Sequence, residues 1–355
     1  MKLPNFLLKM QRISATNKIF LLQNLSVMVK TGIALAEALD TLAQQIKNKK
    51  LKNILLDITD NIKKGKSFGE SLEPHQREFG DLFVNMVKSG EAGGKLEEVL
   101  KQLYVQTKKD HELVMKVRHA LTYPVIIIVA MIGIGIFMVT FVLPNITKLF
   151  KDLDVQLPLF TRLLIALSDF VQAHGLVVAL ASLLTLIIFI RLAKTERGQK
   201  IIDLLFLKLP LISTITKKIN LARISRNLSS LIKTDIAIVE SINITARIIG
   251  NAYYRQALIV MSERVKKGEK MADILKNYPK IFPATITQII AVGEETGAVD
   301  EVLENLADFY EDEVYQTMNT LPTIIEPILM LLIGFGVAGI ALAIMMPMYS
   351  LTQSF

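Results

Sequence analysis

The feature that most restricts how this chain can fold is that it is written twice. Gly90-Glu91-Ala92-Gly93-Gly94 recurs as Gly293-Glu294-Glu295-Thr296-Gly297. The same offset, without a gap, pairs Asn24-Leu25-Ser26 with Asn227-Leu228-Ser229, Lys63-Lys64-Gly65 with Lys266-Lys267-Gly268, Phe79 with Phe282, Pro124 with Pro327 and Pro144 with Pro347. Unrelated segments do not hold register over so long a window, so the chain is an internal duplication and the fold problem reduces to one unit.

Within a unit the pattern is helical and ends in the membrane. From Phe20 to about His119, short segments with apolar residues at helical spacing are closed by glycine. Phe20–Lys30 stops at Thr31-Gly32, a helix C-cap position where the second copy has Asp235, a residue that tolerates the left-handed conformation better than most. Leu35–Gln45 and Leu51–Lys63 follow, and Ser67-Phe68-Gly69-Glu70 reads as a capping box. Asp81–Ser89 form a further helix, which Gly90 is expected to end. The last helix starts near Lys95, and its copy near Ala298; each is expected to run without interruption into an uncharged apolar stretch.

Three stretches qualify as membrane spans. Hydrophobic residues make up 51% of the 355, near the soluble norm of roughly 45–50%, but the mean hydropathy of +0.42 is high and the excess lies in a few runs. Leu121–Leu143 carries no charge and reaches the roughly 20 residues that a bilayer core requires. Gly175–Ile190, lengthened at both ends, and Thr323–Met346 are the other two. The fold expected is an all-α membrane protein with two homologous cytoplasmic helical bundles of about six helices each and three transmembrane helices. In order, the expected parts are an amphipathic segment 1–19, helical domain 20–120, span 121–143, extracytoplasmic loop 144–172, span 173–192, helical domain 193–322, span 323–346 and extracytoplasmic tail 347–355. The first segment, with Leu3, Phe6, Leu7, Met10 and Ile13 opposite Lys2, Lys9 and Arg12, suits an amphipathic helix that docks on the next element, the favoured reading, or lies on a membrane surface, and is too short in its apolar part for a signal peptide.

Lysine and arginine near the spans set the expected orientation. They crowd Lys101–Arg118 and Arg191–Lys200, while the loop between the first two spans is neutral, so the bundles and N-terminus are expected inside and the C-terminus outside. The unpaired second span returns the chain to the inner face, which makes the two copies parallel rather than inverted. Net charge +8 beside apolar spans fits cytoplasmic loops held against anionic lipid, and no aromatic-interleaved basic motif points to nucleic acid. The chain has no cysteine, which excludes disulfides, thiolate metal sites and cysteine nucleophiles.

Chemical motifs are sparse. Gly65-Lys66-Ser67 lacks the upstream glycine of a phosphate loop, having Asp60 there, and His75, His111, His119 and His174 stand apart without ligand spacing. An acidic run, Glu294, Glu295, Asp300, Glu301, Asp308, Glu311, Asp312 and Glu313, suits helix capping and a solvated face, with a basic partner surface or a divalent cation as the functional readings. The candidate hinge or partner surface is therefore Gly90, Glu91 and Gly94 with Gly293, Glu294, Glu295, Gly297, Asp300 and Glu301. Pro124, Gly133, Gly135, Glu326, Pro327, Gly334, Ala338 and Gly339 are the candidates for membrane-helix packing, within the chain or between chains.

These residues resemble the inner-membrane platform family shared by type II secretion systems and type IV pili, the F or PilC family. The resemblance covers nearly the whole chain and is carried by Leu25, Gly32 and Glu37, Lys64-Gly65-Lys66 with Leu72, Gly90-Glu91 with Gly94 and Leu96, and Pro124. In the second copy Lys267-Gly268, Leu275, Phe282, Gly293–Gly297 and Glu326-Pro327 carry it; Asp235 for Gly32 and Val299 for Leu96 are mild departures. The resemblance implies a noncatalytic assembly platform without cofactor or metal. It also implies a hexameric cytoplasmic ATPase, pilin or pseudopilin subunits, other inner-membrane assembly components and the lipid bilayer as partners, with the protein itself a homo-oligomer and no direct nucleic-acid contact. The competing class, a transporter or channel subunit, needs polar residues lining a path, and the spans hold little beyond Glu326, Thr140 and Thr185.

Overall fold

The computed structural model describes residues 13–142, 144, 159–210 and 212–353. Among these residues there are 15 α-helices and no strand. The helices form two compact units: one takes the described residues up to Met115 together with Lys200–Tyr315, the other Lys116–Gln199 and the described residues from Gln316 onward.

The first unit contains the helical part of both sequence copies. The first copy supplies α1 (Ala15–Lys30), α2 (Leu35–Gln45), α3 (Lys49–Lys63), α4 (Phe68–Leu72), α5 (Gln76–Phe79), α6 (Asp81–Ala92) and the start of α7 (Leu96–Phe137). Side chains fix where helices begin: Ser14 accepts from the Asn17 amide at 3.2 Å and Asn48 from the Leu51 amide at 3.0 Å. At α4 the expected capping box is present, with Ser67 and Glu70 each accepting the other's backbone N–H at 3.1 Å. On α3, Leu51, Ile54, Leu55 and Ile58 keep one helical face and are buried against Leu22, Leu25, Leu42 and Leu72. Burying each such side chain stabilises by about 1.5–3 kcal/mol.

Two further helices, α8 (Leu159–Ala193) and α9 (Glu196–Lys208), lead to the second copy: α10 (Ile212–Lys233), α11 (Ile238–Ile248), α12 (Ala252–Val265), α13 (Met271–Leu275), α14 (Ala284–Thr296) and α15 (Val299–Gln353). Asn251 and Asp203 cap the start of α12, accepting from the amides of Tyr253 at 3.0 Å and Ala252 at 2.8 Å. Tyr254 is the largest fully buried side chain here; its hydroxyl donates to the Ile281 carbonyl at 2.9 Å, and burial pushes its phenol pKa up. The copies share a core: Leu231 and Ile244 of the second copy are buried among the first copy's core residues, with Ile236 packed alongside.

The helices that feed the membrane are continuous, as expected from Lys95 and Ala298: α7 has 42 residues and α15 has 55. At about 1.5 Å per residue, α15 is roughly 80 Å long, well beyond a bilayer's hydrocarbon thickness. Among the described residues three helical stretches are long and apolar enough to cross a membrane: Leu96–Val142, Ala173–Ala193 and Val299–Gly339. In the second unit, Ser168 donates to the Val139 carbonyl at 2.7 Å and ties α8 to the end of α7, where the helix widens into a π turn over Met138–Val142.

Three expectations are corrected. The segment 144–172, expected as a loop, is helical from Leu159, and a bend at His174 (φ −124°, ψ 21°) marks the start of the expected span. Counting charges hid the helix-forming run Leu163-Leu164-Ile165-Ala166-Leu167. The tail from Pro347 is helical to Gln353, as α15 continues past the proline. The third correction, at Gly90, belongs to the site described next. Most of the amphipathic segment 1–19 and residues 145–158 of the expected loop lie outside the described residues.

Candidate functional site

Gly90 does not end a helix. It lies inside α6, as Gly293 lies inside α14, and the left-handed stops come later, at Gly94 (φ 69°) and Gly297 (φ 72°). The two inner glycines are needed for close approach. A Cβ on Gly90 would overlap the Val99 side chain on the next helix, and one on Gly293 would lie 3.1 Å from Val302 Cβ and 3.3 Å from Val299 Cα. Each glycine thus lets the helix that leads to the membrane fold back against the helix before it.

The glutamate beside each glycine has an equally local task. Glu91 accepts from the amides of Phe68 at 2.7 Å and Gly69 at 2.8 Å, the first turn of α4. Glu294 does the same at α13, accepting from Met271 at 2.6 Å and Ala272 at 3.0 Å. A five-residue helix cannot sustain itself; a carboxylate bridging two of its orphan amides, at the positive end of its dipole, holds it in place. Glu91 and Glu294 are thereby occupied in both copies. Glu91→Ala is expected to destabilise by about 2 kcal/mol, with faster amide exchange confined to Phe68–Leu72 at first; unchanged exchange there would contradict this role. Glu295 and Glu301 are exposed, and Asp300 is half-buried with its carbonyl accepting from Ser229 at 3.0 Å.

Much of the acidic run is already paired, and its basic partners belong to the chain itself. Arg226 of α10 donates to Glu311 at 2.8 Å and also to Asp308, while Lys109 of α7 sits 3.0 Å from Glu311 and 3.6 Å from Asp308. The side chains of Arg226 and Glu311 are each only 5% exposed. Burial works against both cations, but the carboxylates outweigh it and hold the Arg226 guanidinium and the Lys109 ammonium above their ordinary pKa ranges. Lys218 pairs with Glu313 at 2.7 Å, and Lys233 pairs with Glu304.

This cluster closes a polar seam between the two copies. Ser89 donates to the Thr234 carbonyl at 3.1 Å, Gln102 to Ser230 at 3.0 Å, Gln106 to Asn227 at 2.5 Å, and Ser230 back to Gln106 at 3.0 Å. Lys95 pairs with Asp235, the one described non-glycine residue at positive φ (61°). Gln102, Gln106, Arg226, Asn227 and Ser230 were not singled out from the sequence. A signal was there: when the copies are aligned, the second carries Arg226 and Ser230 where the first has Gln23 and Val27.

Apart from Pro124, which is buried, and Gly135 and Gly339, which are half-buried, the candidate membrane-packing residues stand open within this single chain. Pro124 lies inside α7, and a Cβ on Gly133, Gly135 or Gly334 would meet no atom within 4 Å. Glu326, Pro327 and Ala338 are exposed on α15, and Gly339 is half-buried. Thr140 and Thr185 donate to carbonyls of their own helices, at Ile136 and Ala181, both 2.8 Å. Among the described residues no cluster of three or more histidine, aspartate or glutamate side chains is arranged to hold a metal.

A duplicated all-α unit, closed by a Gly-Glu lock and continued into a membrane helix, defines a class of polytopic inner-membrane protein. Residues 21–144 and 224–347 both match the family described as "Type II secretion system (T2SS), protein F", and the chain belongs to that family. It is 33% identical over 329 residues to the type IV pilus assembly protein PilC of Thermus thermophilus, covering 93% of this chain and 81% of that protein. To PilC of Myxococcus xanthus it is 33% identical over 326 residues, 92% of this chain and 78% of the relative. To the type II secretion system protein F of Pseudomonas aeruginosa it is 28% identical over 341 residues, 96% and 84% respectively.

Proposed function

We propose that this protein is the noncatalytic inner-membrane platform of a type II secretion or type IV pilus-like machine, coupling a cytoplasmic assembly ATPase to extraction and polymerisation of pilin-like subunits. The observation that carries this reading is the pair of continuous helices α7 and α15, each beginning in the helical unit and ending in an apolar span. An ATPase acting on the helical unit would move these helices as levers, because each runs unbroken from Leu96 or Val299 through its span. The bundles then face the cytoplasm and the C-terminus the opposite side, in keeping with the lysine and arginine flanks.

A channel or transporter is less well supported, since the hydroxyls within the spans at Thr140 and Thr185 satisfy their own helix backbone instead of facing a path. The decisive experiment inserts a flexible glycine tract beside Lys116 or Met318. Filament assembly should be lost while the variant remains folded and membrane-inserted; normal assembly by such a variant would refute rigid transmission.

A further inference from the structure

The interface between the two copies is one-sided. Helices α6 and α7 of the first copy meet α10 and α11 of the second through Ser89 and Thr234, Gln102 and Ser230, and Asp81 and Arg247, the last pair 3.4 Å apart. A symmetric pairing would also cover the equivalent surfaces, α1 of the first copy and α14 with α15 of the second. Those surfaces are exposed and apolar: Phe20 (41%), Val27 (56%) and Ile33 (37%) on and after α1, and Ile289 (37%), Val292 (56%) and Phe309 (55%) on α14 and α15. Of their counterparts inside the interface, Ser230 and Met86 are fully buried and Gln106 is 7% exposed, while Ser89 is half-buried and the Arg223 side chain is 37% exposed. The chain thus carries both halves of a second interface of the same type, and among the described residues these apolar halves are not joined to each other.

We infer that these two surfaces bind each other between molecules, α14 and α15 of one chain seating on α1 of a second copy in the geometry of the internal interface. The chemistry changes in matched pairs at three of the ion pairs across the interface; a fourth, Arg223–Asp110, becomes Phe20 opposite Glu313, whose carboxylate is held by Lys218 of its own chain. The ion pair Lys95–Asp235 becomes Ala298 opposite Gly32, and Asp81–Arg247 becomes Ala284 opposite Gln44, so neither contact strands a charge. The ion pair Lys109–Glu311 becomes Asp312 opposite Lys108, both signs reversed and still complementary. The apolar residues replace hydrogen-bonding ones on both sides, Val292 and Phe309 for Ser89 and Gln106, Phe20 and Val27 for Arg223 and Ser230. A head-to-tail contact of this kind is heterologous, so successive copies close into a ring or continue as an array. It stands independently of the platform role proposed above.

The absence of cysteine makes crosslinking clean. Full-length Val27→Cys and Asn305→Cys chains, differently tagged and co-expressed, are treated in membranes with a short bifunctional thiol reagent; Gln102→Cys with Ser230→Cys in one chain reports the internal interface. The expected result is a crosslinked heterodimer of the two single variants, no self-linking of either alone, and intramolecular linking in the control. Adding Asp312→Lys to the Asn305→Cys chain should lower the yield about fivefold, and Lys108→Asp in the partner chain should restore it. Self-linking of Val27→Cys alone would mean a symmetric dimer and overturn the inference. So would a linked control without the heterodimer, which would mean these faces are covered by something else. Failure of the control would remove the interface on which the inference is built.

Discussion

Replacing Glu311 by alanine is expected to destabilise the helical unit by about 3–5 kcal/mol, the largest effect of any single carboxylate in the chain. Glu311 is the buried acceptor shared by Arg226 and Lys109. Without it two cations face each other with only Asp308, whose side chain is 53% exposed, to balance them. Removing Arg226 instead leaves Glu311 with Lys109, so that variant should suffer less. Replacing both partners, Glu311→Leu with Arg226→Met, should recover most of the loss, since an apolar pair strands no charge and Lys109, 39% exposed, turns to water. Glu301, exposed on the same helix, sets the baseline: Glu301→Ala should stay within about 0.5 kcal/mol. Denaturant unfolding of the detergent-solubilised protein measures all four, and a Glu311→Ala loss below about 1 kcal/mol would show the cluster to be no more than a surface network.

The second large effect is expected at Gly90. Gly90→Ala should cost about 3 kcal/mol, because the added methyl group overlaps the short, branched Val99 side chain at its Cβ and cannot be relieved by a rotamer change alone. Gly293→Ala, whose nearest neighbours lie at 3.1 to 3.3 Å, should cost about 1 kcal/mol. Because Gly90 and Val99 are in contact, Val99→Ala should relieve part of the strain, and the double variant should be more stable than the sum of the singles. Equal losses at Gly90 and Gly293, with no coupling to Val99, would return these glycines to a purely conformational role.

Much of this was legible before any coordinates. The duplication, the helical unit, the three spans, the Ser67 capping box and the left-handed backbone at Gly32 and Asp235 are all local signals, and local signals survive folding. What escaped was non-local. Gly90 reads as a helix stop because glycine usually is one, and only the packing of Val99 reveals its other reason. The acidic run reads as a solvated face because its cations lie far away in sequence, Arg226 being 85 residues from Glu311. Glu91 and Glu294 read as part of a hinge or partner surface, and nothing in the local pattern shows that each also accepts from amides 22 and 23 residues upstream. Side chains spent on distant backbone leave no periodicity to read.

Leu231 and Ile244 give the shared core a consequence in time. A chain is synthesised from its N-terminus, so the first copy leaves the ribosome well before the two residues that complete its packing. At about 10 residues per second the delay is on the order of ten seconds, during which the first span has also to enter the bilayer. Through that interval α6 of the nascent first copy lacks the cover that α10 and α11 give it, and chaperone binding during translation should peak there and fall once α11 has emerged.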